Sequence, residues 1–259
     1  MINDRIKNVL SSSYKIYIEQ ITHVISLYLL VAVIGGICSY ILEKSGSMSS
    51  IQNLIFYISS ELFLVGLSLG LVKVLILIVK NQPTNMGMLF SSFDLILKSF
   101  NASILFSLAI FLMILPGLII VLMACNIDSL FMAIISSIDL TASPPSLNFG
   151  NDLSNIEIYN KPLFILGIAV AIINVIWCAI RLQFYQYFIV DEQHSAFKSL
   201  KSSYVLTDNH IDILLQFAIL ILGINFLGLL CFGIGLIITI PFSLLAMSKL
   251  YLSLKQGVL

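Results

Sequence analysis

Three cations stand near one end of three apolar runs: Lys73 in "LVKVL", Arg181 in "AIRLQ" and Lys249 in "MSKLY". Cations of this kind gather phosphate or another anion through charge-assisted hydrogen bonds. Placed equivalently around one axis, they would form a lipid-headgroup or anion site. Placed independently, each is a long side chain snorkelling to the headgroups. Glu61, Asn174 and Asn225 are polar groups inside apolar runs. A charge at the bilayer centre costs about 2.5 kcal/mol or more, so Glu61 requires a partner, a cavity or a route to the interface. The two amides read first as glue between helices. His23, His194 and His210 each border an apolar run without a second His at ligand spacing. Neither a metal site nor a cofactor is expected from them. No HExxH, GxSxG or P-loop pattern appears, so no catalytic residue is expected and the chain reads as a non-enzyme. Cys38, Cys125, Cys178 and Cys231 are scattered singly and read as small buried hydrophobes.

The elements that carry these groups follow from composition. The chain has 259 residues, of which 59% are hydrophobic and 10% charged. A soluble domain carries about 25% charged residues, so this is an all-α polytopic membrane protein in a single integral domain. The formal net charge is zero, which gives nucleic acid no electrostatic footing. A spanning helix needs about 20 apolar residues. Six stretches meet that length, at 24–42, 54–79, 102–124, 162–188, 211–230 and 235–254. A polar loop containing "TASPPSLNFGNDLSN" fills 126–161, and its first part, "IDSLFMAIISSI", reads as a short interfacial helix. With the chain's start in the cytoplasm, eleven Lys and Arg fall on the inner side and only Lys44 and Lys161 on the outer. The positive-inside rule therefore puts both termini inside and 126–161 outside.

Three segments on the inner side are amphipathic but too polar to span: the N-terminal one, 84–100 and 195–206. Each contains a Ser-Ser-aromatic triplet, namely Ser12-Ser13-Tyr14, Ser91-Ser92-Phe93 and Ser202-Ser203-Tyr204. Their apolar faces, such as Phe197, Leu200 and Tyr204, are expected to meet the membrane. With the three cations, this suggests parallel repeats over 1–80, 81–190 and 191–259, each an amphipathic helix plus a hairpin. Inner-loop helices and inner-end lysines also arise in any positive-inside protein, so both readings stand.

The stretch "RLQFYQYFIVDEQHSAFKSLKSSYVLTDNH" resembles the signature of YciC-like bacterial inner-membrane proteins. It also resembles the membrane domain joined to some glycerophosphodiester phosphodiesterases. The matching positions are Asp191, Ala196, Ser199, Ser203, Leu206 and Thr207, and "ILPGLII" at Pro116-Gly117 resembles a second feature. Asp191, Ser199, Ser203 and Thr207 are read as an interfacial signature. The resemblance implies a bacterial inner membrane. The functional expectation is a protein that engages membrane lipids, or other membrane proteins, in envelope maintenance. The alternative is a transporter or channel with Glu61, Asn174 and Asn225 lining a path.

The cation bias makes the topology testable. With all native cysteines removed, an impermeant maleimide should label a cysteine at position 148 only from outside and one at position 198 only from inside. Outside labelling at 198 reverses the orientation.

Overall fold

The computed structural model describes residues 4–44, 50–126, 138–139, 146–147, 158–231 and 233–258. The helices are α1 (Asp4–Glu19), α2 (Ile21–Lys44), α3 (Ser50–Val79), α4 (Ile96–Ala124), α5 (Lys161–Leu182), α6 (Tyr185–Glu192), α7 (Ala196–Leu206), α8 (Ile211–Leu230) and α9 (Leu236–Lys255). Strand β1 (Ile138–Asp139) pairs antiparallel with β2 (Ser146–Leu147). Among the described residues, six helical segments are long and apolar enough to cross a membrane, so the chain is a multi-pass, all-α membrane protein. Residues 127–137 of the expected interfacial helix and most of the 126–161 loop lie outside the described residues.

Contacts divide the chain into two compact units. The smaller takes Tyr40–Ser59 and Ser107–Ala179. Here α4 and α5 touch backbone to backbone at two glycines. A Cβ on Gly117 would lie 2.5 Å from Ala171 N, and one on Gly167 would lie 2.8 Å from Val121 N. This is the small-residue packing that membranes favour, where close approach replaces the hydrophobic drive. Asn160 caps α5 by accepting from Leu163 N at 3.1 Å.

The larger unit takes Met1–Ser39, Ser60–Phe106 and Ile180–Leu259. Its core is the second half of α3, where Leu67, Leu69, Val74, Leu75 and Ile78 are buried, together with Leu245, Ala246, Leu250 and Tyr251 of α9. In this unit α2 and α3 run antiparallel. His23, near the start of α2, bonds Thr84 just past the end of α3 at 3.0 Å. Further along, a Cβ on Gly35 would lie 3.7 Å from Leu64. Helices α8 and α9 form a hairpin whose backbones meet at Gly228 and Gly235, with Gly233 at φ +76° in the turn. Only glycine adopts that conformation without strain.

The three amphipathic segments depart from the sequence reading in instructive ways. Helix α1 forms as expected, but protein covers its apolar stripe. Ile6, Val9 and Tyr17 are buried, α1 packs along α9, and Tyr14 and Tyr17 meet Phe242 edge-on. Burial pushes the Tyr17 phenol up from its ordinary value, so it stays protonated and donates to Ile238 O at 2.9 Å. The segment 84–100 is not one amphipathic helix. It forms two 3-10 turns, Met86–Phe90 and Phe93–Leu95, before α4 begins. The cause is a close approach: an added Cβ on Gly70 would lie 1.8 Å from Leu89 O. A regular helix there could not fold back so tightly along α3.

Helix α7 forms, and of its expected membrane face only Leu200 turns inward. Ser199, Leu200, Ser203 and Thr207 are buried, while Phe197 and Tyr204 are exposed. Among the triplets, the second serine is buried each time, at Ser13, Ser92 and Ser203.

The Gly70 contact generates a stability test. Gly70→Ala should lower the thermal midpoint in detergent by about 5–10 °C, the scale of an overpacked core. Gly36→Ala, whose Cβ meets nothing within 4 Å, should leave the midpoint unchanged or slightly raised. Equal effects at the two positions would mean that the turn does not press on α3.

Candidate functional site

The polar residues of the larger unit gather around the break between α5, α6 and α7. Helix α5 ends at Leu182 and α6 begins at Tyr185, so backbone groups on either side lose their helical partners. Ser203, reaching over from α7, restores them. Its hydroxyl donates to Arg181 O at 3.0 Å and accepts from Phe184 N at 3.1 Å. Thr207 Oγ1 also lies within reach of Arg181 O, at 3.1 Å. Ser199 donates to Ala196 O at 2.8 Å within its own helix. Three of the four signature positions thus lie on the buried stripe of α7, four residues apart. Small hydroxyl residues there let α7 approach the break closely.

The fourth, Asp191, sits at the end of α6 with its side chain 8% exposed. Lys80 donates to Oδ1 at 2.7 Å, Lys255 to Oδ2 at 2.5 Å and the Tyr251 hydroxyl to Oδ2 at 3.2 Å. A carboxylate so enclosed is kept charged only by partners of this kind. Lys255 also pairs with Glu192 at 2.6 Å, and Glu192 reaches His194 Nε2 at 2.8 Å. The imidazole stacks on Phe188 and its Nδ1 contacts Ser202 Oγ at 3.2 Å. Gln193, at φ 51°, ends α6 in the left-handed conformation, and Lys98 reaches its carbonyl at 3.4 Å. The cluster joins the ends of α3, α6 and α9.

The three cations singled out by the sequence have separate surroundings. Lys73 is half-buried and donates to Ser91 Oγ at 3.0 Å. Arg181 is buried; its Nη2 donates to Asp208 Oδ1 at 2.9 Å and its guanidinium lies 4.2 Å from the Tyr204 ring centroid. Lys249 is half-buried on α9. Lys73 and Arg181 therefore tether the surface segment that follows each in the chain, Ser91 in one case and Tyr204 with Asp208 in the other. Arg181 already has a carboxylate and an aromatic face against it.

Among the intramembrane polar groups, Asn225 serves as interhelical glue: its amide bonds Ser243 of α9 at 3.1 Å. Asn174 is half-buried on α5, and Glu61 is exposed on α3. Among the described residues, no group of three His, Cys, Asp or Glu could hold a metal ion.

Sequence reasoning did not pair Lys80, Tyr251 or Lys255 with Asp191. The available signal was charge sign: an acid and two bases at the ends of three apolar runs. Residues 80, 191 and 255 are too far apart in sequence for spacing to reveal the contact. No family model, curated protein or solved structure matches the chain.

Asp191→Asn should destabilise the protein by about 2–3 kcal/mol, below the usual cost of breaking a fully buried pair because both lysines reach water. A double-mutant cycle with Lys255→Gln should give a coupling of about 1–2 kcal/mol. Coupling near zero would place the pair among exposed ion pairs that contribute nothing.

Proposed function

We propose that this chain is a non-enzymatic membrane protein that engages anionic lipid at its inner face, in a bacterial inner membrane with both termini cytoplasmic. The observation that carries this reading is the two-faced character of α7. One face, with Ser199 buried on it, is fixed by Ser203 and Thr207 against the α5–α6 break. The other offers Phe197 and Tyr204 with Lys198 and Lys201 between them in the chain, all exposed. Aromatic rings that enter the headgroup layer, beside lysines that meet phosphates, suit an anionic leaflet. The resemblance of this stretch to YciC-like proteins agrees with that location. Service to a membrane complex in envelope maintenance would use the same exposed face.

The transport reading has less support. Asn225 spends its amide on Ser243, and Glu61 is exposed on α3. Lys73 and Arg181 are engaged by local partners, so the lipid contact is assigned first to Lys198 and Lys201.

The test is mass spectrometry of lipids that co-purify from a mild extraction. Each cation near an anionic surface contributes about 1 kcal/mol, or roughly fivefold in affinity. Lys198→Gln with Lys201→Gln should deplete anionic lipid relative to zwitterionic lipid by an order of magnitude or more. An unchanged lipid profile would remove α7 as the lipid contact.

A further inference from the structure

Helices α8 and α9 have the length and apolarity of a crossing pair, but these properties also describe a hairpin lying within one leaflet. The bonds of the larger unit distinguish the two. Lys255, near the end of α9, is tied through Asp191 to Lys80. At the other end of α9, Ile238 is tied to Tyr17 at 2.9 Å. Tyr17 lies shortly before His23, and His23 bonds Thr84 at 3.0 Å. Lys80 and Thr84 are four residues apart, which spans at most about 14 Å. Both ends of α9 are therefore tethered to the same turn at the end of α3.

The direction of α2 fixes the depth of Tyr17. From His23 at that turn, α2 runs back along α3 until Gly35 faces Leu64. Tyr17 precedes His23, so it is level with the turn or beyond it, away from the body of α3. Ile238 goes with it. Ile238 and Lys255 are seventeen residues apart, about 25 Å at 1.5 Å per residue. If α9 ran alongside α3, Ile238 would stand near the depth of Leu64. The bond to Tyr17 instead holds it near the depth of Lys80, so α9 lies across the end of α3.

A second observation agrees independently. Helix α1 borders Ile224 of α8 and Phe242 of α9 along a groove that includes Lys7 and Tyr14. It also exposes Asp4, Arg5, Lys7, Lys15 and Glu19. Were α8 and α9 to cross straight through, Ile224, Ile238 and Phe242 would draw these charges into the hydrocarbon, at about 2.5 kcal/mol or more each. Beside a hairpin in the membrane plane, they meet the headgroups. The far side of α8 is apolar along one stripe: Leu215, Ile219, Leu222, Phe226 and Leu229 are all exposed at helical spacing.

We infer that α8, α9 and α1 form a block lying in the plane of one leaflet, with the Leu215–Leu229 stripe of α8 immersed in its hydrocarbon and α1 at its headgroups. The partner of this surface is the acyl-chain layer of a single leaflet. The inference is independent of lipid headgroup preference. It leaves a multi-pass protein whose α8–α9 hairpin enters the membrane and returns on the same side.

Nitroxides at Leu215, Leu222 and Leu229, introduced singly as cysteines in full-length protein in liposomes, test it. In a crossing helix these sites lie about 10 Å apart along the bilayer normal. Depth, read from the ratio of oxygen to nickel-chelate relaxation, would then peak at 222 and fall at both flanks. The in-plane block predicts equal or steadily graded depth at the three sites. Native Cys231, exposed at the hairpin turn, supplies a second readout as the sole cysteine. It should react with impermeant maleimide from the side that labels position 198, or from neither side. A depth peak at 222, or labelling of Cys231 from the opposite side, overturns the inference.

Discussion

Two lysines share one carboxylate at the end of α6, and the arrangement of the larger unit depends on that sharing. An enclosed Asp191 without partners would cost several kcal/mol, and the chain could escape the cost only by separating the helix ends. With Lys80, Lys255 and Tyr251 in place, separation is what becomes costly. A buried ion pair is a weak source of net stability but a strict condition on geometry. An apolar contact between α3 and α9 could slide by a turn and remain apolar. The Asp191 contact has one register, so it fixes where α9 lies against α3 while the leucines around it supply the burial.

The second constraint is the break between α5 and α6. In an apolar setting, an interrupted helix must find substitutes for its lost backbone bonds. Ser203 supplies a donor and an acceptor from one hydroxyl. The same residue lets α7 approach closely, so the bond and the packing come from one small side chain. The other two triplets bury their second serine with different chemistry. Ser13 bonds Val9 O within α1 at 2.7 Å, and among the described residues Ser92 Oγ makes no hydrogen bond. The triplets thus share burial without sharing a bonding role.

Much of the architecture was legible because membrane helices announce themselves by length and composition. All six apolar runs are helical, although the fourth, expected as one helix over 162–188, is broken at residues 183–184, and α1 and α7 appear where the amphipathic patterns put them. The errors came from assigning apolar faces to lipid by default. Ile6, Val9 and Tyr17 found α9, which no periodicity within α1 could indicate. On α7 the exposed Phe197 and Tyr204 fit the expected membrane face, but Leu200 turned inward beside Ser199 and Ser203, which the amphipathic pattern did not indicate. The segment 84–100 had the apolar spacing of a helix, yet Gly70 brought α3 too near for one. At the site, Asp191, Ser199, Ser203 and Thr207 were picked out by resemblance, but their roles were not. Lys80 and Lys255 were visible only as topology markers, since their shared acid lies more than sixty residues from either.

The packing of α1 on α9 also sets an order of events during synthesis. Tyr17 and Ile238 are separated by 221 positions. At about 5–20 residues per second, the ribosome needs roughly 10–45 s to make the second after the first. Throughout that interval Ile6, Val9 and Tyr17 have no α9 to cover them. An amphipathic helix in that condition rests on the nearest apolar boundary, which for a nascent membrane protein is the bilayer surface. Helix α9 therefore displaces lipid from α1 as it arrives, and closure of the larger unit waits until α9 has been made.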